Sequence, residues 1–325
     1  MYLAPTEDQL QIIEATRDVL AAEAAFERWF VADRAVPEDD ARLSALACTM
    51  GWTGFAAPAA VGGSEASSVD ELLVFRELGA RLAPVGIGAA AIAARVAMAA
   101  GDEPLARRIV SGDARVGLAI GTGAAVLAGA PATVALQVDG AVLTLRDATA
   151  VQQDGVAFDW ITPTGALTDA TVIASVTDEG LARQFRLMIA AQAQGIAETA
   201  LAQANAYAKE REQFGRPIGS FQAISHRIAG MEIRARRAEM QLRFAAVRNA
   251  DGGADAGFQC LAMTQLALSA ARENAEANIY IHGAMGITTE NIGHLLLKRA
   301  LLWQLVLGPE HATLDAIASC DAPTL

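Results

Sequence analysis

The most regular hydrophobic spacing in the chain lies in its last third. After Gln222, the residues Ile224, Ile228, Met231, Ala235, Ala238, Leu242 and Ala245 recur at alternating steps of three and four. On a 3.6-residue turn that spacing makes one buried stripe, so it predicts a long helix, with Arg234, Arg236, Arg237 and Arg243 outside the stripe. The same period runs from Leu181 to the end, broken by a bend over 211–222, a polar glycine-bearing loop from Asn249 to Gly257, and a stop at His282-Gly283. A further helix starts after Thr288-Thr289-Glu290, and four long helices in this order predict an antiparallel bundle. The first third is helical as well. Thr6 with Gln9 forms a capping box ahead of Leu10, Ile12, Ile13, Val19 and Leu20, and Pro37 with Glu38-Asp39-Asp40 opens a second helix that stops at Gly51. The stretch Gly51-Trp52-Thr53-Gly54-Phe55-Ala56-Ala57-Pro58 holds too many breakers for a helix. Another helix runs from about Ser68 through Arg76-Glu77-Leu78-Gly79 to near Pro84.

Between Arg115 and about Val176 the period changes. Short β-branched runs alternate with turns, and 134–138 and 141–145 flank Asp139-Gly140, a two-residue hairpin signal. Val172-Ile173-Ala174-Ser175-Val176 reads as a closing strand. The chain thus divides into an N-terminal helical domain (1–112), a small β domain (113–180) and a C-terminal four-helix bundle (181–325), a mainly α fold with a β insert.

Composition narrows the function. The apolar fraction of 53% is mostly alanine, leucine and valine, with 5% aromatics, which suits closely packed helices. No uncharged apolar run is long enough to span a bilayer, and the N-terminus lacks the order of a signal peptide, so a cytoplasmic protein is expected. Cys48, Cys260 and Cys320 are odd in number and far apart, and read as buried thiols with no metal-ligand spacing. A net charge of −12 argues against a nucleic-acid partner.

The chemistry concentrates in Arg211-Glu212-Gln213-Phe214-Gly215-Arg216-Pro217-Ile218-Gly219-Ser220-Phe221-Gln222. Two glycines and a proline force a corner between two helices. That corner carries a guanidinium for a phosphate, a ring for packing and an amide for a base edge, a set that suits a purine diphosphate. The run resembles the R-x-x-F-G-x-x-I-x-x-F-Q signature of the acyl-CoA dehydrogenases. A second stretch, Tyr280-Ile281-His282-Gly283-Ala284-Met285-Gly286-Ile287-Thr288-Thr289-Glu290, is similar to that family's Q-x-x-G-G-x-G-x-T-x-E loop, with Tyr280 in place of the glutamine and Ala284 in place of the second glycine. The G-W-x-G-F-x-x-P and E-L-G-A runs near the N-terminus fit the same family.

The resemblance implies FAD as cofactor. It places Arg211, Gln213, Phe214, Gln222, Gly283 and Ala284 at the ADP end of a FAD held across a subunit interface. It implies α,β-dehydrogenation of an acyl-CoA, with electron-transfer flavoprotein as acceptor. The family's other requirements are missing here. Aligned through Arg299 and Gln304, the Y-E-G-T stretch that carries the catalytic glutamate falls on Val306-Leu307-Gly308-Pro309, so Leu307 stands where the base belongs. The alternative base position, in the helix before the arginine corner, holds Phe185 beside Arg186. The flavin loop T-E-P-x-x-G-S-D corresponds to 119–126, which has no acid and no Ser-Asp pair. A chain with the ADP end but without the flavin end or the base resembles the shortened subunit of heteromeric α2β2 bacterial acyl-CoA dehydrogenases. These act on bulky esters such as steroid side chains, with the substrate in the longer partner's site. Two alternatives remain at this point: a homo-oligomeric dehydrogenase with a displaced base, Glu310 or Glu290, and a flavin-free assembly scaffold.

Overall fold

The structure is a computed structural model describing residues 4–29, 36–121, 125–128, 131–151, 153–167 and 170–320. The chain forms two compact units, one of residues 35–74 and 83–188 and one of residues 1–34, 75–82 and 189–325.

The first of these is built on a seven-stranded sheet. Its strands are β1 (Val116–Ile120), β2 (Ala125–Leu127), β3 (Val134–Asp139), β4 (Val142–Asp147), β5 (Gln153–Val156), β6 (Pro163–Ala166) and β7 (Val172–Thr177), in the order β5-β6-β2-β1-β3-β4-β7. Only β1 and β3 run parallel, and the other neighbours are antiparallel. The expected hairpin is present but displaced by one residue. Asp139 pairs with Val142, so the two-residue loop is Gly140-Ala141, not Asp139-Gly140. Gly140 has φ +57° and Ala141 is not in the positive-φ region. This is the pattern of a turn whose first central residue must be glycine, so the glycine, not the aspartate, sets the register.

Three helices complete this unit: α2 (Val36–Thr49), α4 (Val85–Ala99) and α5 (Glu103–Ser111). Almost every side chain from Val85 to Ala97 in α4 is buried. Such a helix is apolar all round because it lies between layers, and its alanines and glycines let β1 and α5 come close. The helix α3 (Ser68–Ala80) starts in this unit with Glu71, which is buried and accepts from Arg95 Nη2 at 2.8 Å and Gln184 Nε2 at 2.9 Å.

The second unit opens with α1 (Glu7–Glu23), whose capping box is present as expected. Gln9 N donates to Thr6 Oγ1 at 3.2 Å and Thr6 N donates to Gln9 Oε1 at 3.1 Å. Its main body comprises α6 (Glu179–Glu210, entering the unit at Ile189), α7 (Gln222–Ala250), α8 (Ala256–His282), α9 (Gly293–Leu307) and the short α10 (Glu310–Ala318). The predicted stripe of α7 is buried from Met231 to Ala245, while Ile224 and Ile228 at its start are half-buried. Ala197, Ala238 and Ala270 meet where α6, α7 and α8 converge. Asn274 fastens the three helices there. Its Nδ2 donates to the carbonyls of Ala197 and Met231, each at 3.1 Å, and its Oδ1 accepts from Arg234 Nε at 2.9 Å. A fully buried amide with its groups satisfied fixes helix register more narrowly than alanine contacts do.

Candidate functional site

The corner between α6 and α7 is a miniature hairpin. Glu212–Gln213 and Arg216–Pro217 pair as strands β8 and β9, with Phe214-Gly215 as the two-residue loop. Phe214 (φ +53°) and Gly215 (φ +75°) both have left-handed backbones. That pair of angles belongs to a turn which usually holds asparagine or glycine, and a bulky residue there is strained by about 1–3 kcal/mol. The strained residue is also 93% exposed. Its ring makes only an edge contact with Phe221 (6.1 Å, 80°), whose own face is covered by the Arg216 guanidinium at 4.1 Å.

The backbone of Arg211 is fixed at both ends. Its N–H donates to Tyr207 O at 2.8 Å and its carbonyl accepts from Ile218 N at 2.8 Å. Its side chain is exposed and makes no ion pair or hydrogen bond among the described residues, and the same holds for the Gln222 side chain. Gln213, by contrast, is exposed but engaged, with Nε2 donating to Glu212 O at 2.7 Å. Gly219 brings the corner onto α6, since a Cβ there would lie 3.0 Å from Ala208 O. A concavity of about 360 Å³ opens beside it, lined by Asn205, Lys209, Pro217, Ser220 and Ser225 among others.

The glycine turn lies against this corner. His282 stacks on Tyr207 (4.2 Å, 22°), four residues before Arg211, and its Nδ1 pairs with Asn278 O at 2.9 Å. Arg227, in the first turns of α7, covers the ring of Tyr280 at 4.0 Å. Tyr280, at the position expected to hold a glutamine, is therefore a stacking surface. Gly283 adopts φ +60°, ψ −137°, a conformation open in practice only to glycine, and Ala284 is exposed after it. Gly286 is needed for a different reason, because a Cβ there would lie 2.5 Å from Ile279 O. Two stacked pairs thus bring together the groups that the sequence keeps some seventy residues apart.

The corner thus carries an exposed guanidinium, a carboxamide without a partner among the described residues and a strained, solvent-facing ring, beside the exposed Gly283-Ala284 turn. Lys209, Arg216 and Arg227 add positive charge locally in an otherwise acidic chain.

The groups of a reaction centre are placed differently. Leu307 is half-buried at the last position of α9, followed by Gly308 at φ +94°. Glu310 opens α10 and is engaged, with its Oε1 accepting from Gln265 Nε2 at 2.6 Å and its Oε2 lying 4.0 Å from Arg272 Nη2. The cleft beside it has about 10 Å³, room for about one water molecule and not for a substrate. Glu290 is exposed in the turn ahead of α9, and Phe185 is buried in α6. Of the expected flavin loop, Ala119–Gly121 and Ala125–Val126 form the ends of the β1–β2 hairpin, and 122–124 lie outside the described residues. Cys260 is buried, whereas Cys48 and Cys320 are only half-buried, unlike the three buried thiols expected.

Sequence reasoning missed an ionic cluster around Arg76. This buried guanidinium lies 2.8 Å from Glu77, 3.7 Å from Glu198 and 3.8 Å from Glu239. Arg17 reaches Glu77 at 3.1 Å, and Arg236 and Arg243 share Glu239. Burial pushes the Glu198 carboxyl above its ordinary value, with Arg76 and the Gln194 amide offsetting part of the rise. Helical spacing pairs Glu239 with Arg236 and Arg243 within α7, but nothing in it brings Arg76 to Glu198 and Glu239 or Arg17 to Glu77, so the sequence carried no signal for the cluster as a whole.

Known proteins share this architecture and these motifs. The acyl-CoA dehydrogenase N-terminal domain profile matches residues 6–115 and the C-terminal domain profile matches 176–319. Acyl-CoA dehydrogenase FadE34 of Mycobacterium tuberculosis is 34% identical over 272 residues, which is 77% of this chain but only 38% of FadE34. Acyl-CoA dehydrogenase IpdE2 of Mycolicibacterium smegmatis is 32% identical over 281 residues, 83% of this chain and 85% of IpdE2. A chain in the ChsE4-ChsE5 complex of Mycobacterium tuberculosis superimposes with TM-score 0.81 at 23% identity, covering 99% of this chain and all of that one. The family is one of FAD flavoproteins. With both terminal domains matched, the helix–sheet–helix order in place and the arginine corner facing the glycine turn, the chain belongs to the acyl-CoA dehydrogenase family.

Proposed function

We propose that this chain is the non-catalytic subunit of a hetero-oligomeric acyl-CoA dehydrogenase. It presents Arg211, Phe214, Gln222 and the Gly283–Ala284 turn to the ADP end of a FAD whose flavin end lies in a longer partner. With FAD bound, the Arg211 guanidinium would pair with the diphosphate, the Phe214 ring would offer a packing face, and the Gln222 amide would serve the base edge. Gly283, whose own N–H donates to Tyr280 O, lets the exposed turn at the end of α8 approach the diphosphate without a side chain in the way. Gln213, tied to its neighbour's carbonyl, supports the hairpin more than the ligand. When bound, FAD supplies the hydride acceptor for α,β-dehydrogenation of an acyl-CoA. In this reading the glutamate that removes the α proton belongs to the partner, as do the thioester's oxyanion contacts, and electron-transfer flavoprotein reoxidises the complex.

The observation that carries the proposal is the asymmetry of the site: free ligand groups at the ADP end, and a leucine where the base belongs. Glu310 is committed to Gln265 and Arg272 in a cleft with no room for an acyl chain. The relatives support the same reading. FadE34 has well over twice the matched length, and ChsE4-ChsE5 is named as a complex. The experiment is purification with and without a longer acyl-CoA dehydrogenase encoded beside it, with flavin read by absorbance. The chain alone is expected to be nearly colourless and the complex yellow. Stoichiometric FAD in the lone chain would overturn the split site and favour a self-sufficient enzyme.

A further inference from the structure

The unit that carries the sheet contains a cavity of about 330 Å³, and none of its lining residues belongs to the arginine corner or the glycine turn. Helices α2, α4 and α5, strand β1 and the segments flanking it line it, and one side is open to solvent. Its apolar wall is made by Ile87, Ala90, Ile109 and Val116, with Ala128 and Ala132 beyond them. Its polar lining includes Ser44, Thr49, Ser111 and Arg115.

Arg115 is the informative residue. It is half-buried, yet among the described residues its side chain makes no ion pair, and its one side-chain hydrogen bond, Nη2 to Ala41 O, is long at 3.4 Å. A guanidinium has five donors in a planar fork, and removing it partly from water without a partner carries a cost that an anion recovers. Asp40, the other charged group on the wall, is already engaged elsewhere. Cys48 also lines the cavity. Burial pushes its thiol up, with the Thr53 hydroxyl and Arg115 offsetting part of this, so it is a neutral wall group and not a nucleophile at neutral pH.

We infer that this cavity is a binding site for a small carboxylic acid with an aliphatic or alicyclic body, its carboxylate paired with Arg115 and its body against Ile87, Ala90 and Val116. The volume sets the size. At about 30 Å³ per water-sized volume, the space holds about eleven such volumes, which corresponds to a ligand of roughly ten non-hydrogen atoms. That is small for a pocket of the usual 300–1,000 Å³ range, and far below a coenzyme A ester. The volume suits a free acid of about that size.

The test uses octanoate, with 1-octanol as the uncharged control, titrated calorimetrically into the intact chain. Octanoate is expected to bind at one equivalent with a dissociation constant on the order of 0.2 mM, as roughly ten heavy atoms at moderate efficiency give. Octanol is expected to bind at least about 10-fold more weakly, since it lacks the charge that Arg115 pairs with. Location is read by alkylation of Cys48 with iodoacetamide at about pH 8.5, mapped by peptide mass. Octanoate should slow it several-fold while leaving Cys320 unaffected. Arg115→Gln should lose about 10-fold for octanoate and little for octanol. The octanoate-to-octanol ratio in the unaltered chain does not depend on how that variant folds. Equal binding of acid and alcohol, absence of Cys48 protection, or undiminished octanoate binding by a folded Arg115→Gln would each overturn the assignment.

Discussion

Gly195 and Gly230 lie inside long helices, and alanine at the two positions should act in opposite directions. At Gly195 an added Cβ would lie 2.0 Å from Arg76 O and 2.6 Å from Ala80 N. Across the same crossing, a Cβ on Gly79 would lie 2.2 Å from Gln192 O. The α3 and α6 backbones therefore touch directly, and Thr199 Oγ1 reaches across to Ala80 O at 3.0 Å. Carbon and oxygen approach to roughly 3.3 Å at closest in ordinary contacts, so Gly195→Ala would require the two main chains to part by about 1.3 Å. No side chain can rotate out of the way, because the obstacles are backbone. Overpacking costs about 1–3 kcal/mol, and a main-chain obstacle puts this site at the upper end; alanine's helix propensity returns about 1 kcal/mol. The net is a loss of about 2 kcal/mol, or a melting temperature lower by roughly 4–8 °C. At Gly230 the nearest atom to an added Cβ is Arg234 Nη1 at 3.6 Å, an ordinary contact. Gly230→Ala should therefore gain about 0.5–1 kcal/mol, raising the melting temperature by about 1–4 °C. Thermal unfolding followed by far-ultraviolet circular dichroism reads both. If Gly195→Ala melts at or above Gly230→Ala, the direct backbone crossing is wrong.

Arg211→Ala should weaken FAD retention by the assembled complex about 10- to 100-fold, the worth of a charge-assisted phosphate contact, and Arg211→Lys should restore only part of it; flavin content after gel filtration decides, and an unchanged content returns the corner to a structural role. Glu310→Gln and Glu290→Gln should leave most turnover of the complex intact, because removing a true base costs roughly 10²–10⁴ in rate; a collapse of turnover in a folded, yellow Glu310→Gln complex would place the base here. Glu198 has a folded-state pKa raised by burial above its ordinary 4.5, so the native state holds this proton more tightly than the unfolded chain. Its stabilising contribution is complete below the unfolded value and is lost as pH rises through the folded one. Glu198→Gln should therefore stabilise the protein more at about pH 7 than at about pH 5, and urea midpoints shifted equally at both values would contradict this.

The helices were legible wherever one face repeats for several turns, as from Met231 to Ala245 in α7, because burial of a stripe is a local property of the sequence. The hairpin at 139–142 was legible in kind and displaced by one residue, since Asp-Gly and Gly-Ala turns compete for the same strands and backbone handedness at Gly140 decides between them. The arginine corner was readable from its motif, but its strand pairing was not, because two-residue strands are too short to show alternation. The links between the corner and the glycine turn, Tyr207 with His282 and Arg227 with Tyr280, depend on how α6, α7 and α8 stack. The same holds for Arg76 with Glu198 and Glu239, and for the enclosure of Arg115: residues distant in sequence meet only after packing, and no periodicity of one helix foretells it.

The backbone of Phe214 bears on how related chains change over time. Its left-handed angle and full exposure make phenylalanine a poor choice for the hairpin as such, since glycine or asparagine would fit the turn with less strain. Selection for stability alone pulls position 214 toward those residues. On the proposed reading the ring's use at the cofactor opposes that pull, so a lineage that gave up the flavin would be free to relax this one turn position.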